Sequence, residues 1–230
     1  MRRTNPLPRE RARYWSREEN VPSSPTSRPR IISSPPIWKL PNPIYESASV
    51  YYIAGFFLTV SVDSLKIVAE HTLANDKTFC LNLLAPFIID FFGDQVATAL
   101  EYADYLFCNE SETAAYGKKH GLGEDLKEVA LKIATSPKNN AARPRTVIFT
   151  QGSESTIVAR DGKVEEYKVT PLPKEELMDT NGAGDSFVGG FLAGLLEKEM
   201  ASCVEARHWA ARFIIQQSGC TLTNACEYKL

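Results

Sequence analysis

The sequence predicts an α/β fold built on a doubly wound, mostly parallel sheet, and three observations carry that prediction. Short apolar runs such as Val50–Phe57 and Thr146–Thr150 read as strands buried on both faces. Stretches of helical period lie between them, so strand and helix alternate. Polar and glycine-bearing residues fall just after the strands, where sheets of this kind collect ligands.

The elements follow in order. Val50–Phe57 is the first strand, ended by Thr59 and Ser61, and Leu65, Val68, Ala69 and Leu73 recur at helical spacing after it. Thr78–Leu83 is a second strand; Pro86 then opens a short helix, and Asp94–Tyr102 reads as another. Tyr105–Cys108 is a third strand, stopped at Asn109. Helices over Glu110–His120 and Glu124–Thr135 are separated by Gly121-Leu122-Gly123. Thr146–Thr150 is a fourth strand, and Ser155–Arg160 with Val164–Val169 forms a hairpin about Asp161-Gly162. Two long helices, Gly182–Glu197 and Cys203–Gln217, follow.

The first forty-five residues are a different polymer. Arginines from Arg2 to Arg30 outnumber their acids, and proline and serine dominate from Pro22 to Pro43. No period survives there, so residues 1–45 are expected to be disordered and residues 46–230 to form the folded domain. Acids and prolines weaken a mitochondrial transit reading, and sparse aromatics weaken a nucleic-acid arm. A net charge of −2 over 230 residues gives no whole-chain argument for nucleic acid or an anionic membrane. The five cysteines are odd in number and form no Cys-x-x-Cys pair, so free thiols and a cytoplasmic location are expected, with the nucleus also open. No apolar run has the length to span a bilayer. A monomer is expected.

The chemistry concentrates in Asp179-Thr180-Asn181-Gly182-Ala183-Gly184-Asp185, immediately before an apolar helix. Backbone N–H groups of Gly182, Ala183 and Gly184 at a helix N-terminus suit a phosphate, since the macrodipole adds partial positive charge. Asp185 stands one position further on, within reach of a hydroxyl to be phosphorylated. The same pattern also serves as a plain helix cap with Asp179 or Asn181 at its head. Asn109-x-x-Glu112 likewise reads as a capping box or as a ligand-facing pair, and Thr150-Gln151-Gly152 as a tight turn or a site edge. Their convergence on one edge of one sheet favours function.

These residues resemble the ribokinase-like (phosphofructokinase-B) carbohydrate kinase family, most closely the branch that phosphorylates adenosine. Ser47–Ser61, Leu81–Phe87, Phe107–Glu112 and Val147–Gly152 carry the same likeness, which runs from about Glu46 to about Thr221. The resemblance implies ATP and adenosine as substrates, AMP as product in purine salvage, and Mg²⁺ as the associated ion. Asp185 is implied as general base, and Gly182, Ala183 and Gly184 as the anion hole of a nucleotide loop that includes Asp179, Thr180 and Asn181. Asn109 and Glu112 are implied to hold Mg²⁺ through water, with Glu112 on the metal side, and Thr150 and Gly152 to border ATP. Lys174 stands where some members carry a nucleotide-contacting Gln, and residues 208–215 resemble the helix beside adenine.

Members of that branch are substantially longer, so the chain is expected to represent the C-terminal part of the fold, without the lid and the first strands. The γ-phosphate half of the site is then present and most of the acceptor half is not. Two further readings stay open at this point: a truncated nucleotide-binding or interaction module without turnover, and a sugar kinase of the same family.

Overall fold

The computed structural model describes residues 46–195 and 200–220. The expectation for residues 1–45 and the last turn assigned to the Gly182–Glu197 helix lie outside the described residues.

A six-stranded sheet runs in sequential order, β1 (Val50–Ala54), β2 (Thr78–Asn82), β3 (Tyr105–Asn109), β4 (Thr146–Thr150), β5 (Thr156–Arg160) and β6 (Lys163–Tyr167). The first four are parallel, and β4, β5 and β6 form an antiparallel extension. Alternation of side chains across the pleat splits the core in two. One face, with Tyr51, Ile53, Phe79, Leu81, Leu106 and Phe149, is covered by α1 (Val62–Ala74), α2 (Pro86–Phe91), α3 (Gly93–Leu100), α4 (Glu110–Lys119) and α5 (Leu126–Thr135). The other, with Cys80, Phe107, Ile148 and Val158, is covered by α6 (Ala183–Gly194) and α7 (Met200–Ile215). Helices on both faces of a mostly parallel sheet are the architecture the alternating pattern predicts.

Local chemistry sets the element ends. Ser61 caps α1 by accepting from the Ser64 N–H, and Asp125 caps α5 through Lys127 and Glu128 N–H. Pro86 sits in the first turn of α2, where a missing N–H is harmless. The first strand is shorter than its apolar run, because the chain leaves the sheet at Gly55 into a 3₁₀ turn over Gly55–Thr59. There the backbone passes so close to β2 that a Cβ on Gly55 would lie 2.4 Å from the Leu83 carbonyl oxygen.

A buried polar staple closes the end of the sheet away from the site. Asp104, 4 % exposed, accepts from the Phe79 N–H, Lys138 and Arg143. The fully buried Arg145 donates to the carbonyls of Leu100, Ala103, Ile133, Ser136 and Pro137. Such burial is tolerated because every nitrogen finds an acceptor.

α6 and α7 cross at very short range. A Cβ on Gly190 would lie 2.7 Å from the Ala206 oxygen and the Arg207 Cα, and one on Gly194 would lie 2.6 Å from the Cys203 Cα. Their i, i+4 spacing puts both glycines on one helix face, so α7 fixes the height and rotation of α6. The Met178 and Asp179 N–H groups also donate to the Ile215 carbonyl, which ties the loop before α6 to the end of α7.

Candidate active site

The four parallel strands end at Ala54, Asn82, Asn109 and Thr150, and a cleft of about 160 Å³ opens beside the last three. Its walls are Asn82, Leu84, Phe107, Cys108, Asn109, Glu112, Thr150, Gly182, Gly184, Asp185, Phe187 and Val188. Six residues singled out from sequence meet there: Asn109, Glu112, Thr150, Gly182, Gly184 and Asp185. Register explains part of the convergence, because Asn109 and Thr150 are direct partners across β3 and β4.

Asn109 and Glu112 make a complete capping box. The Asn109 Oδ1 accepts from the Glu112 N–H at 2.9 Å, and the Glu112 Oε2 accepts from the Asn109 N–H at 3.0 Å. Asn109 Nδ2 also donates to Glu112 Oε1 at 2.8 Å. The cap and the cleft-facing role are therefore held by the same pair. Glu112 is only 2 % exposed, and burial pushes its carboxyl up to about 7, against the lowering pull of the Asn109 N–H.

Gly182 sits in the left-handed region at φ 75° and leads into α6, whose first turn carries Asp185. Ala183 spends its N–H on the Thr180 carbonyl at 3.2 Å, so the loop offers fewer open amides than the sequence suggests. Asp179 turns inward on its own loop, accepting from the Asn181 N–H at 2.9 Å and from Nδ2 at 3.3 Å. The Asn181 N–H in particular holds the Asp179 carboxyl below its usual range. Thr180 and Asn181 are exposed, as is Asp185.

Gly152, at φ 57°, and Lys174, in a 3₁₀ turn over Lys174–Glu176, are exposed and do not line the cleft. Residues that sequence reasoning missed form the walls. Leu84 is one, held at φ 68° with its N–H bonded to Asn82 Oδ1 at 3.0 Å. Tyr52 is a neighbour, its hydroxyl accepting from Asn82 Nδ2. Burial raises the Tyr52 phenol, and the nearby Asp185 charge adds to the rise. Phe187 and Val188 look like ordinary helix core until α6 is placed. Cys108 also lines the cleft, but burial pushes its thiol up to about 12, so it is wall rather than nucleophile. Beyond Leu84, Phe87 and Phe56 stand exposed with ring centroids 5.8 Å apart.

Behind the cleft, His208 on α7 bonds Thr156 Oγ1 through Nε2 at 2.9 Å and faces the Phe187 ring. Burial first, and the Arg207 charge second, push its imidazole down to about 4. Glu112 and His208 give opposite slopes of stability with pH. Between its ordinary 4.5 and about 7, Glu112 holds a proton in the folded chain that the unfolded chain has lost, so stability falls as pH rises. Between about 4 and 6.5, unfolded His208 binds a proton that the folded chain refuses, so stability falls as pH falls. From these two groups the wild-type urea midpoint is expected to be nearly flat from pH 4.5 to 6.5. Glu112→Gln should expose the His208 slope, raising stability with pH by on the order of 1–2 kcal/mol across that window, since solvent screens the half-buried imidazole. A flat profile in the variant contradicts the assignment.

No helix among the described residues is long and apolar enough to cross a membrane. Cys80, Cys108, Cys203 and Cys220 are free thiols, as the odd count suggests.

Comparison with known proteins bears on the family and the fold. The model of the pfkB family carbohydrate kinases matches residues 35–225. Adenosine kinase 2 of Arabidopsis thaliana is 48 % identical over 192 residues, covering 83 % of this chain and 54 % of the relative. The crystal structure of Anopheles gambiae adenosine kinase in complex with P1,P4-di(adenosine-5) tetraphosphate superimposes with a TM-score of 0.77 at 42 % identity, over 81 % of this chain and 56 % of that one. Adenosine kinase from Schistosoma mansoni in complex with adenosine and AMP gives 0.73 at 36 % identity, over 84 % and 56 %. The chain thus spans about half the length of the curated relatives it matches. What it spans is the C-terminal part of the ribokinase-like fold, and on the extent of the match the chain belongs to the pfkB family of carbohydrate kinases.

Proposed function

We propose that this chain carries the phosphate-transferring side of an adenosine kinase, converting ATP and adenosine to ADP and AMP, a purine-salvage reaction. The observation that carries the reading is the meeting of Asp185, Gly182, Gly184, Asn109, Glu112 and Thr150 around one cleft. Among the described residues no side-chain hydrogen bond or ion pair ties down Asp185, and it stands on the first turn of a helix whose dipole points at the cleft. It takes the proton of the adenosine 5′-hydroxyl. A bond then forms between that oxygen and the γ-phosphorus, and the bond from the γ-phosphorus to the β,γ-bridging oxygen breaks. ADP departs with the electron pair. The glycine backbone at the head of α6 meets the charge that builds on the transferred group.

Mg²⁺ suits the donor set. Glu112 is a buried carboxylate beside an amide, and magnesium is commonly held by one or two carboxylates together with substrate phosphates and water. The ion would neutralise phosphate charge. Glu112 and Asn109 would position its water shell. The exposed Phe56–Phe87 pair, at the same end of the sheet, is an apolar platform suited to a purine. The reading is tested by supplying ATP, Mg²⁺ and, in turn, adenosine, ribose and fructose. AMP forming from adenosine alone supports it, and preferential sugar phosphorylation replaces it with the sugar-kinase reading.

A second reading has a specific support, namely that the chain spans about half the length of its relatives. In that reading the chain binds nucleotide without turning over. Calorimetric heat on adding MgATP, with none on adding adenosine and no AMP formed, selects it.

A further inference from the structure

The cleft has an electrostatic imbalance. Among the described residues its lining carries two acids, Glu112 and Asp185, and no lysine, arginine or histidine. Beyond Mg²⁺ and the partial charge at the head of α6, a polyphosphate entering it gains from any further positive charge nearby. One candidate lies directly behind the wall. Arg207, on α7, is 0 % exposed, and among the described residues none of its Nε, Nη1 and Nη2 atoms has a hydrogen-bond partner. Its Cζ lies 4.6 Å from the centroid of Phe187, 5.7 Å from that of Phe191 and 5.9 Å from that of Tyr167. Phe187 is itself a wall of the cleft, two residues beyond Asp185.

Arg145 shows how unusual this is. That equally buried guanidinium is fully occupied by carbonyls, whereas Arg207 meets ring faces. The carboxylate on neighbouring β6, Glu165, is engaged by the Tyr167 hydroxyl at 2.5 Å and by Arg160 at 3.4 Å. Burial lowers the Arg207 guanidinium to about 9, which leaves it charged at neutral pH. A desolvated charge with no acidic partner among the described residues projects further than an exposed one, because little water or salt screens it.

We propose that Arg207 is a polyphosphate-attracting positioning residue: a buried cation behind the Phe187 ring that offsets the acids of the cleft and draws the phosphate chain onto the head of α6. The proposal rests on the nucleotide reading above and adds a source of charge to it. Arg207 touches no substrate atom. It acts through the field in the cleft and through the ring it holds.

The test compares wild type, Arg207→Met and Arg207→Lys by calorimetry with ATP, ADP, AMP and inorganic tripolyphosphate. Arg207→Met should weaken ATP and tripolyphosphate about tenfold, ADP less, and AMP least, because the loss scales with ligand charge. Arg207→Lys should recover most of the affinity, as a charge effect requires and a packing effect does not. Met should also leave the fold at least as stable, since it removes an unpaired buried charge. Unchanged ATP affinity in Arg207→Met overturns the proposal alone. So does an equal loss for all four ligands, or a Lys variant no better than Met. Wild type that binds none of the four overturns the nucleotide reading, and the proposal with it.

Discussion

Asp185→Asn is expected to cut adenosine phosphorylation by on the order of 10²–10⁴, the range general-base catalysis supplies, while the thermal midpoint stays where it is. The side chain is exposed at the head of α6, so the fold loses no packing with it. The amide keeps the shape and removes the negative charge together with the ability to take a proton. Its effect on nucleotide affinity has a definite sign. A carboxylate is lost from a cleft that receives an anion, so MgATP should bind as well as before or more tightly. A fall in turnover with unchanged or improved ATP affinity therefore separates the base from a binding residue. Equal turnover in the two proteins removes Asp185 from the chemistry.

The second large effect is structural, and neighbouring glycines should respond with opposite signs. Gly189 faces outward on α6, and a Cβ there meets nothing within 4 Å. Gly189→Ala should stabilise by up to about 1 kcal/mol, through helix propensity alone. Gly190→Ala gains the same propensity, but its methyl enters the backbone of α7 at 2.7 Å. Backbone cannot rotate aside as a side chain can, so the helices must separate. A cost of roughly 1–3 kcal/mol from overpacking is expected, and combining it with Gly194→Ala should approach the total stability of a marginal domain. Urea midpoints of the three proteins check the order. Because α7 also holds the loop before α6, the Gly190 variant should lose ATP affinity before it loses secondary structure. Equal midpoints for Gly189→Ala and Gly190→Ala contradict the close crossing.

Much of this was legible in the chain. Strands buried on both faces leave short apolar runs, and Thr146–Thr150 matches its run residue for residue. The antiparallel hairpin announced itself through Asp161-Gly162, the turn between β5 and β6. The first strand ends before its apolar run does, because apolarity does not mark where a buried strand stops. Phe56 and Phe57 continue the run, yet the chain turns at Gly55 against the Leu83 carbonyl, a contact made across the sheet.

At the site, the polar residues were readable because each follows a strand or opens a helix, and Asn109 and Glu112 proved to be a capping box and a cleft wall together. What sequence could not supply was proximity between distant segments. Phe187, Leu84 and Tyr52 read as apolar or strand residues with no site chemistry of their own, and Arg207 sits in a helix rich in ordinary residues until its three aromatic neighbours are seen. Lys174 enters through family resemblance alone, and like Gly152 it stands exposed outside the cleft lining.

The central claim is that the phosphate end of ATP rests on the head of α6 beside Asp185. Amide hydrogen exchange over residues 179–188, measured with and without MgATP, tests it without requiring turnover. The account predicts that MgATP slows exchange at Gly182 and Gly184 and at the Asn109–Glu112 cap, and that adenosine alone leaves both unchanged. MgATP that binds the chain and leaves the exchange of Gly182 and Gly184 unaltered would contradict it.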